Sequence, residues 1–159
     1  MIAGVMVVIA AVLVWRLYPP SRPEKVATPS AEVVPKQERG GKLEVASKDK
    51  MAFPLSDKPS IAVLPFVNMS KDPEQEFFSD GMTEEIITIL SKSPYLFVIA
   101  RQSTFAYKGK PVKFKQVSEE LGVRYVLEGS VRRSGEKVRI TAQLIDAMTG
   151  YHLWADRYD

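Results

Sequence analysis

Six carboxylates fall between residues 72 and 85: Asp72, Glu74, Glu76, Asp80, Glu84 and Glu85. Carboxylates this close together can do acid–base work or hold a hard cation. They lack the alternating acidic order and the glycine of an EF-hand loop. A solvated loop running into a helix N-terminus, which favours anions, gives the same cluster. Asp80-Gly81 is its sharpest pair, because Asp can cap a helix and Gly can take a positive φ. With Glu84, these two residues are the ligand-site candidates. A second group, Lys108, Lys110, Lys113 and Lys115, is interleaved with Tyr107 and Phe114. Aromatics between lysines suit a single-stranded nucleic acid, and the lysines alone suit anionic lipid headgroups. A surface loop leading into a helix produces the same spacing. Gly109-Lys110 is no P-loop, since the upstream glycine and the following Ser or Thr are missing.

Other chemistries lack their residues. The chain has no cysteine and one histidine, His152, so thiolate sites and paired-histidine sites are excluded. No serine lies in a G-x-S-x-G elbow. No residue type or spacing here therefore predicts a catalytic residue, a cofactor or a metal ligand. Arg132, Arg133, Lys137 and Arg139 crowd a predicted turn, with Glu128, Glu136 and Asp146 as expected cross-strand partners.

The 159 residues carry a net charge of +3, and its placement decides what it means. Residues 1–18 hold one charged side chain, Arg16, and residues 19–58 hold eight basic against six acidic ones. Residues 59–159 hold 13 of each sign, so the foldable part is neutral. A neutral domain lacks the broad electrostatic footprint of a nucleic-acid binder.

The positioning elements begin with Ile61-Ala62-Val63-Leu64-Pro65-Phe66, a continuous apolar run predicting a strand buried on both faces. Pro65 ends it or puts it at a sheet edge. Phe78, Met82, Ile86, Ile89 and Leu90 recur at helical spacing. Asp80-Gly81 interrupts them, which predicts a fresh helix start at Thr83, and Ser93-Pro94 closes the helix. Leu96–Ala100 reads as a second strand, and residues 101–112 as a polar connection. Phe114, Val117 and Leu121 predict a short helix stopped by Gly122. Alternation over 123–133 and 138–145, with a turn at Ser134-Gly135-Glu136, predicts a hairpin. Thr149-Gly150 turns the chain into a last strand, Tyr151–Asp156. The order is βαβαβββ, an α/β (α+β) domain over 59–159 ending in an antiparallel meander.

Residues 2–15 are apolar and uncharged, and Trp15, Arg16 and Tyr18 are interfacial types. Residues 1–18 are therefore expected to be a retained single-pass transmembrane anchor. The alternatives are a cleaved signal peptide and a buried helix. Basic residues after the segment favour a cytoplasmic C-terminal side, on a weak asymmetry. Residues 19–58 hold six of the 11 prolines and no persistent period, as a solvated tether would.

The stretches SIAVLPFVNMSKDPEQEFFSDGMTEEIITILS, LFVIARQSTFAYKG and LGVRYVLEGSVRRSGEKVRITAQLIDAMTGYHLWADRYD resemble the TolB N-terminal-like module, and are similar to the FlgO-type domain. The resemblance spans residues 58–159. It implies a non-catalytic interaction domain of bacterial membrane-anchored proteins, associated with adenylate/guanylate cyclase domains or tetratricopeptide repeats. It implies a protein partner and a membrane tether, expected at the bacterial inner membrane, while the residues themselves lead to the expectation of no cofactor and, through the neutral domain, no nucleic acid. It also implies a piece of, or companion to, a longer signalling protein. The alternative function is a regulatory domain sensing a small ligand or nucleotide between the first strand and the helix after it.

Overall fold

The computed structural model describes Ala11, residues 45–70 and residues 72–159. The elements are β1 (Ser60–Val63), β2 (Val67–Asn68), α1 (Glu76–Ser91), β3 (Phe97–Val98), α2 (Arg101–Phe105), α3 (Phe114–Leu121), β4 (Tyr125–Ser134), β5 (Lys137–Asp146) and β6 (Tyr151–Tyr158), with short 3-10 turns at Lys48–Lys50 and Pro73–Gln75.

β1 sets the architecture. All four of its residues are buried, and it lies between β3 and β4 in a sheet ordered β3-β1-β4-β5-β6. Its pairings with β3 and β4 are parallel, and so is the pairing of β2 with β4. Ile61 and Val63 point into a core with Met82, Ile86 and Leu90 of α1. Ala62 and Leu64 point the other way, into a core with Val117 of α3 and Val123. A strand covered on both faces has no polar side to alternate, hence the unbroken apolar run. β4, β5 and β6 then form an antiparallel meander, and among the described residues its far half carries no helix on the α3 side.

The structure is the expected mixed α/β (α+β) domain, with several corrections. α1 starts at Glu76 and runs through Asp80-Gly81, and Gly81 is not among the positive-φ glycines. The first turn is prepared by Asp72, whose carboxylate accepts a hydrogen bond from the Glu74 N–H at 2.9 Å. Thr83 therefore lies inside the helix. The connection over 101–112 contains α2, and β2 is an element the sequence pattern does not mark. Pro65 ends β1, but β1 is interior and not at a sheet edge. β6 runs two residues beyond its expected end.

α3 ends as expected at Gly122, with φ 64° and ψ 40°. A Cβ there would also lie 2.7 Å from the Phe53 carbonyl oxygen, so the site needs glycine twice over. That neighbour belongs to the stretch read as tether. Ala46 donates to the Ala147 carbonyl at 2.7 Å, Ala52 donates to the Glu119 carbonyl at 2.7 Å, and Ala46 is buried. Residues 45–52 thus lie on the domain. The rest of the expected tether up to residue 44, and the expected anchor apart from Ala11, fall outside the described residues. Among the described residues no helix is long and apolar enough to cross a membrane.

Candidate functional site

The C-terminal ends of parallel strands are where an open α/β sheet places its ligands, because loops diverge there. Here β1 leaves the sheet at Leu64-Pro65, and residues 107–112 form a strap that lines one cavity with Leu64 to Met69. Adjacent residues fasten this strap to both helical layers. Tyr107 donates its hydroxyl hydrogen to Glu120 of α3. Lys108 Nζ donates to Asp80 Oδ1 at 2.6 Å and lies 2.9 Å from Glu76 Oε1 on α1. Glu76, Asp80 and Glu84 repeat every four residues and share one helix face. The third of them meets α2: Arg101 Nε is 3.3 Å from Glu84 Oε2, and its guanidinium stacks 3.9 Å from the centre of the Phe105 ring.

The structure therefore pairs candidates from the two predicted groups. Asp80 and Lys108 are partners, while Gly81 faces open space. The four lysines do not form one stripe. Lys108 bonds to α1 and, with Lys110, lines a cavity of about 760 Å³ beside the strap, while Lys113 and Lys115 border a separate groove with Lys50. Gly109, at φ 70°, turns the chain between the first two. The larger cavity is walled by Leu64 to Met69, the strap, and Glu128, Ser130, Thr141 and Gln143 of the sheet. Among the described residues no group of three or more His, Asp or Glu side chains is placed to hold a metal ion.

Electrostatics reinforces the fastening. Burial lowers the pKa of Lys108, but its bonds to Asp80 and Glu76 outweigh that and hold it above the usual lysine range. Burial and the bond to Glu120 push the Tyr107 hydroxyl well up. The bonds from Tyr107 and Gln116 hold Glu120 below the usual carboxylate range. A depressed carboxylate contributes stability above its unfolded pKa and loses it as pH falls through the folded value. The strap's α3 end should thus hold at neutral pH and loosen in acid, below about pH 4.5. Amide exchange of residues 106–112, corrected for intrinsic rates, should rise there and be insensitive to acid in Glu120→Gln.

The α1 end has its own test. Lys108→Met should raise amide exchange across 106–112 several-fold. Its cost in global stability should stay under about 1 kcal/mol, because the ion pairs are partly solvated. An unchanged strap would mean that Lys108 does not hold it.

Three arginine pairings are not marked by the sequence pattern. Asp146 is buried and takes Arg124 through Nε at 3.1 Å and a terminal nitrogen at 2.9 Å, while its other oxygen accepts from the Met148 N–H at 2.9 Å. It was expected to serve the hairpin arginines and instead ties down the β5–β6 turn. Arg139 pairs with Asp159, and Arg133 donates to the Gly135 carbonyl.

The profile of the HilA/YgeH-like transcriptional regulator family, second domain, matches residues 56–157. Over 105 residues, 66% of this chain, the sequence is 69% identical to "Putative adenylate cyclase 3" of Rhizobium meliloti (strain 1021). The matched part is 18% of that protein, so the chain spans less than a fifth of that relative's length. The fold is similar to the LpoB C-terminal domain from Salmonella enterica, at 16% identity and a TM-score of 0.51 over 63% of this chain and 80% of that one. It is also similar to the lipoprotein GNA1162 from Neisseria meningitidis, at 23% identity and a TM-score of 0.52 over the same shares. Both likenesses concern the fold alone.

Proposed function

Because the chain belongs to the family of the HilA/YgeH-like transcriptional regulator second domain, we propose that it is a non-catalytic regulatory module that docks a protein partner from a membrane tether. In this reading residues 1–18 are a single-pass anchor in the bacterial inner membrane, the stretch from 19 to 44 is a tether, and the docking domain includes residues 45–52, which lie on it, together with 59–159. The module serves a longer signalling protein or its companion. The 69% identical relative, whose name is that of a cyclase, contains such a segment within a far longer chain. The tetratricopeptide association rests on the sequence resemblance.

The observation that carries this reading is how the reactive-looking groups are used. At the strand ends, where an enzyme of this architecture would hold its catalytic carboxylates, Asp80 and Glu76 are bound by Lys108, and Glu84 faces Arg101. These charges join helices to a strap. Two measurements test the proposal. Alkaline extraction should leave the chain in the membrane fraction, and release into the soluble fraction would remove the anchor. Pull-down from membranes solubilised in neutral detergent should recover a protein partner, and a clean failure would remove the docking role.

The cavity beside the strap favours a second reading, a small-ligand or nucleotide sensor, with Glu76 and Lys108 in its wall and the predicted Asp80 reaching it only through Lys108, while Gly81 and Glu84 do not line it. A thermal shift of the full chain with nucleotides or inorganic anions, lost in Asp80→Asn, would support it. No shift across such a screen would reject it.

A further inference from the structure

The far face of the meander carries an arrangement that the fold alone does not account for. Arg132 of β4 lies directly opposite Arg139 of β5. Like charges opposite one another across a ladder are destabilising. On the same face, by strand alternation, stand Lys137, two residues before Arg139, and Arg157, paired with Thr141. These cations stand together although residues 59–159 are neutral as a whole.

Three of them, Arg139, Arg157 and Lys137, act on one carboxylate. Arg139 grips Asp159 in a fork, Nε to Oδ1 at 2.5 Å and a terminal nitrogen to Oδ2 at 2.9 Å. The Arg139 bond, then the charges of Arg139, Arg157 and Lys137, hold the Asp159 carboxyl below its usual range. Arg132, Lys137, Arg139 and Asp159 line an open cavity of about 610 Å³. The strand bearing Arg157 ends the sheet, and among the described residues nothing pairs with its outer side. All its residues except Trp154 and Tyr158 are exposed.

We propose that this face and the free edge of β6 dock an extended acidic segment of a partner protein, with a partner carboxylate taking the place of Asp159 on Arg139. The proposal rests on the docking reading above and names its surface. Two observations favour a polypeptide over a phosphate polymer or a lipid. The bound group already present is a carboxylate in fork geometry, which the guanidinium matches. The strand edge also offers a row of backbone donors and acceptors, which another polypeptide can pair along its length.

The test uses the full chain in neutral detergent and a fluorescent peptide of alternating Glu and Thr, read by anisotropy. The peptide should bind with an affinity that falls as salt rises, and its Gln-Thr counterpart should bind about ten-fold more weakly. Arg132→Gln with Arg139→Gln should weaken binding about ten-fold. Asp159→Asn should strengthen it several-fold by removing the internal rival, a gain that an unfolded variant cannot mimic. Equal binding of the Gln-Thr peptide, or no gain in Asp159→Asn, overturns the proposal. So does tighter binding of a single-stranded oligonucleotide or of phosphatidylserine vesicles. If the doubly substituted chain still recovers its partner undiminished in the membrane pull-down, the surface assignment falls while the docking reading stands.

Discussion

Gly129→Ala is expected to cost about 3 kcal/mol, toward the upper end of what overpacking does to a core. Gly129 sits midway along β4, opposite Ala142 of β5. A Cβ built on it would lie 2.4 Å from the Phe66 ring and 2.4 Å from the Thr141 carbonyl oxygen. Both distances are far inside van der Waals contact. Phe66 is among the largest fully buried side chains and is packed among the α1 core residues. The ring cannot swing aside without opening that core, and the carbonyl belongs to a ladder strand. For a domain of this size, the midpoint of thermal unfolding should fall by roughly 12–24 °C. Circular dichroism and urea titration would measure it. Adding Phe66→Leu should restore part of the loss and no more, because the main-chain contact remains. Full recovery would mean the ring is the whole obstacle, and no loss in the single variant would mean that β4 shifts freely.

The same strand shows what the sequence could reveal. Alternation along β4 and β5 was legible because one face is packed on α1 while the distal part of the other is open. β1 was legible for the opposite reason, since both faces are covered and no polar position breaks the run. Gly122 followed from local rules, because a left-handed C′ residue after Leu121 is a backbone requirement. The start of α1 was misread by the same local rules. Asp80-Gly81 has low helix propensity, costing about 1 kcal/mol. The packing of Met82, Ile86 and Leu90 under β1 overrides that amount. The candidate site was legible only in halves. Asp80 and Lys108 are 28 residues apart, and their meeting depends on where the fold places the strap. Lysine spacing could not show that Lys113 and Lys115 border a different groove from the one that Lys108 and Lys110 line. The hairpin arginines were visible as a cluster. Their facing one another across the ladder required the register.

Thr83→Val should destabilise the domain by about 1–3 kcal/mol, the cost of leaving a buried donor without its partner. Pro65 has no N–H and ends the first strand's ladder. Leu64 still donates to the Leu127 carbonyl at 2.8 Å, and Met69 donates to the Val131 carbonyl at 2.7 Å. Between them the chain turns toward α1, and the Phe66 N–H bonds to Thr83 Oγ1 at 3.0 Å. The hydroxyl hydrogen goes back to the Ser79 carbonyl at 2.9 Å, within the helix. Thr83 is fully buried, so water cannot take its place. Valine has nearly the same shape and lacks the acceptor, which isolates the hydrogen bond from packing. Thr83→Ser keeps the oxygen and loses one methyl, worth about 0.8 kcal/mol. The expected order of stability is therefore Thr, then Ser, then Val. Val matching or exceeding Ser would show that shape, and not the bond, matters at this position. Because Phe66 also meets Gly129, the two sites share a partner, and their effects should not add. In the Gly129→Ala background, where the Phe66 segment is already displaced, Thr83→Val should cost less by at least about 0.5 kcal/mol. Strict additivity would mean that the bend at Phe66 absorbs the two changes independently, and that Thr83 does not position the ring.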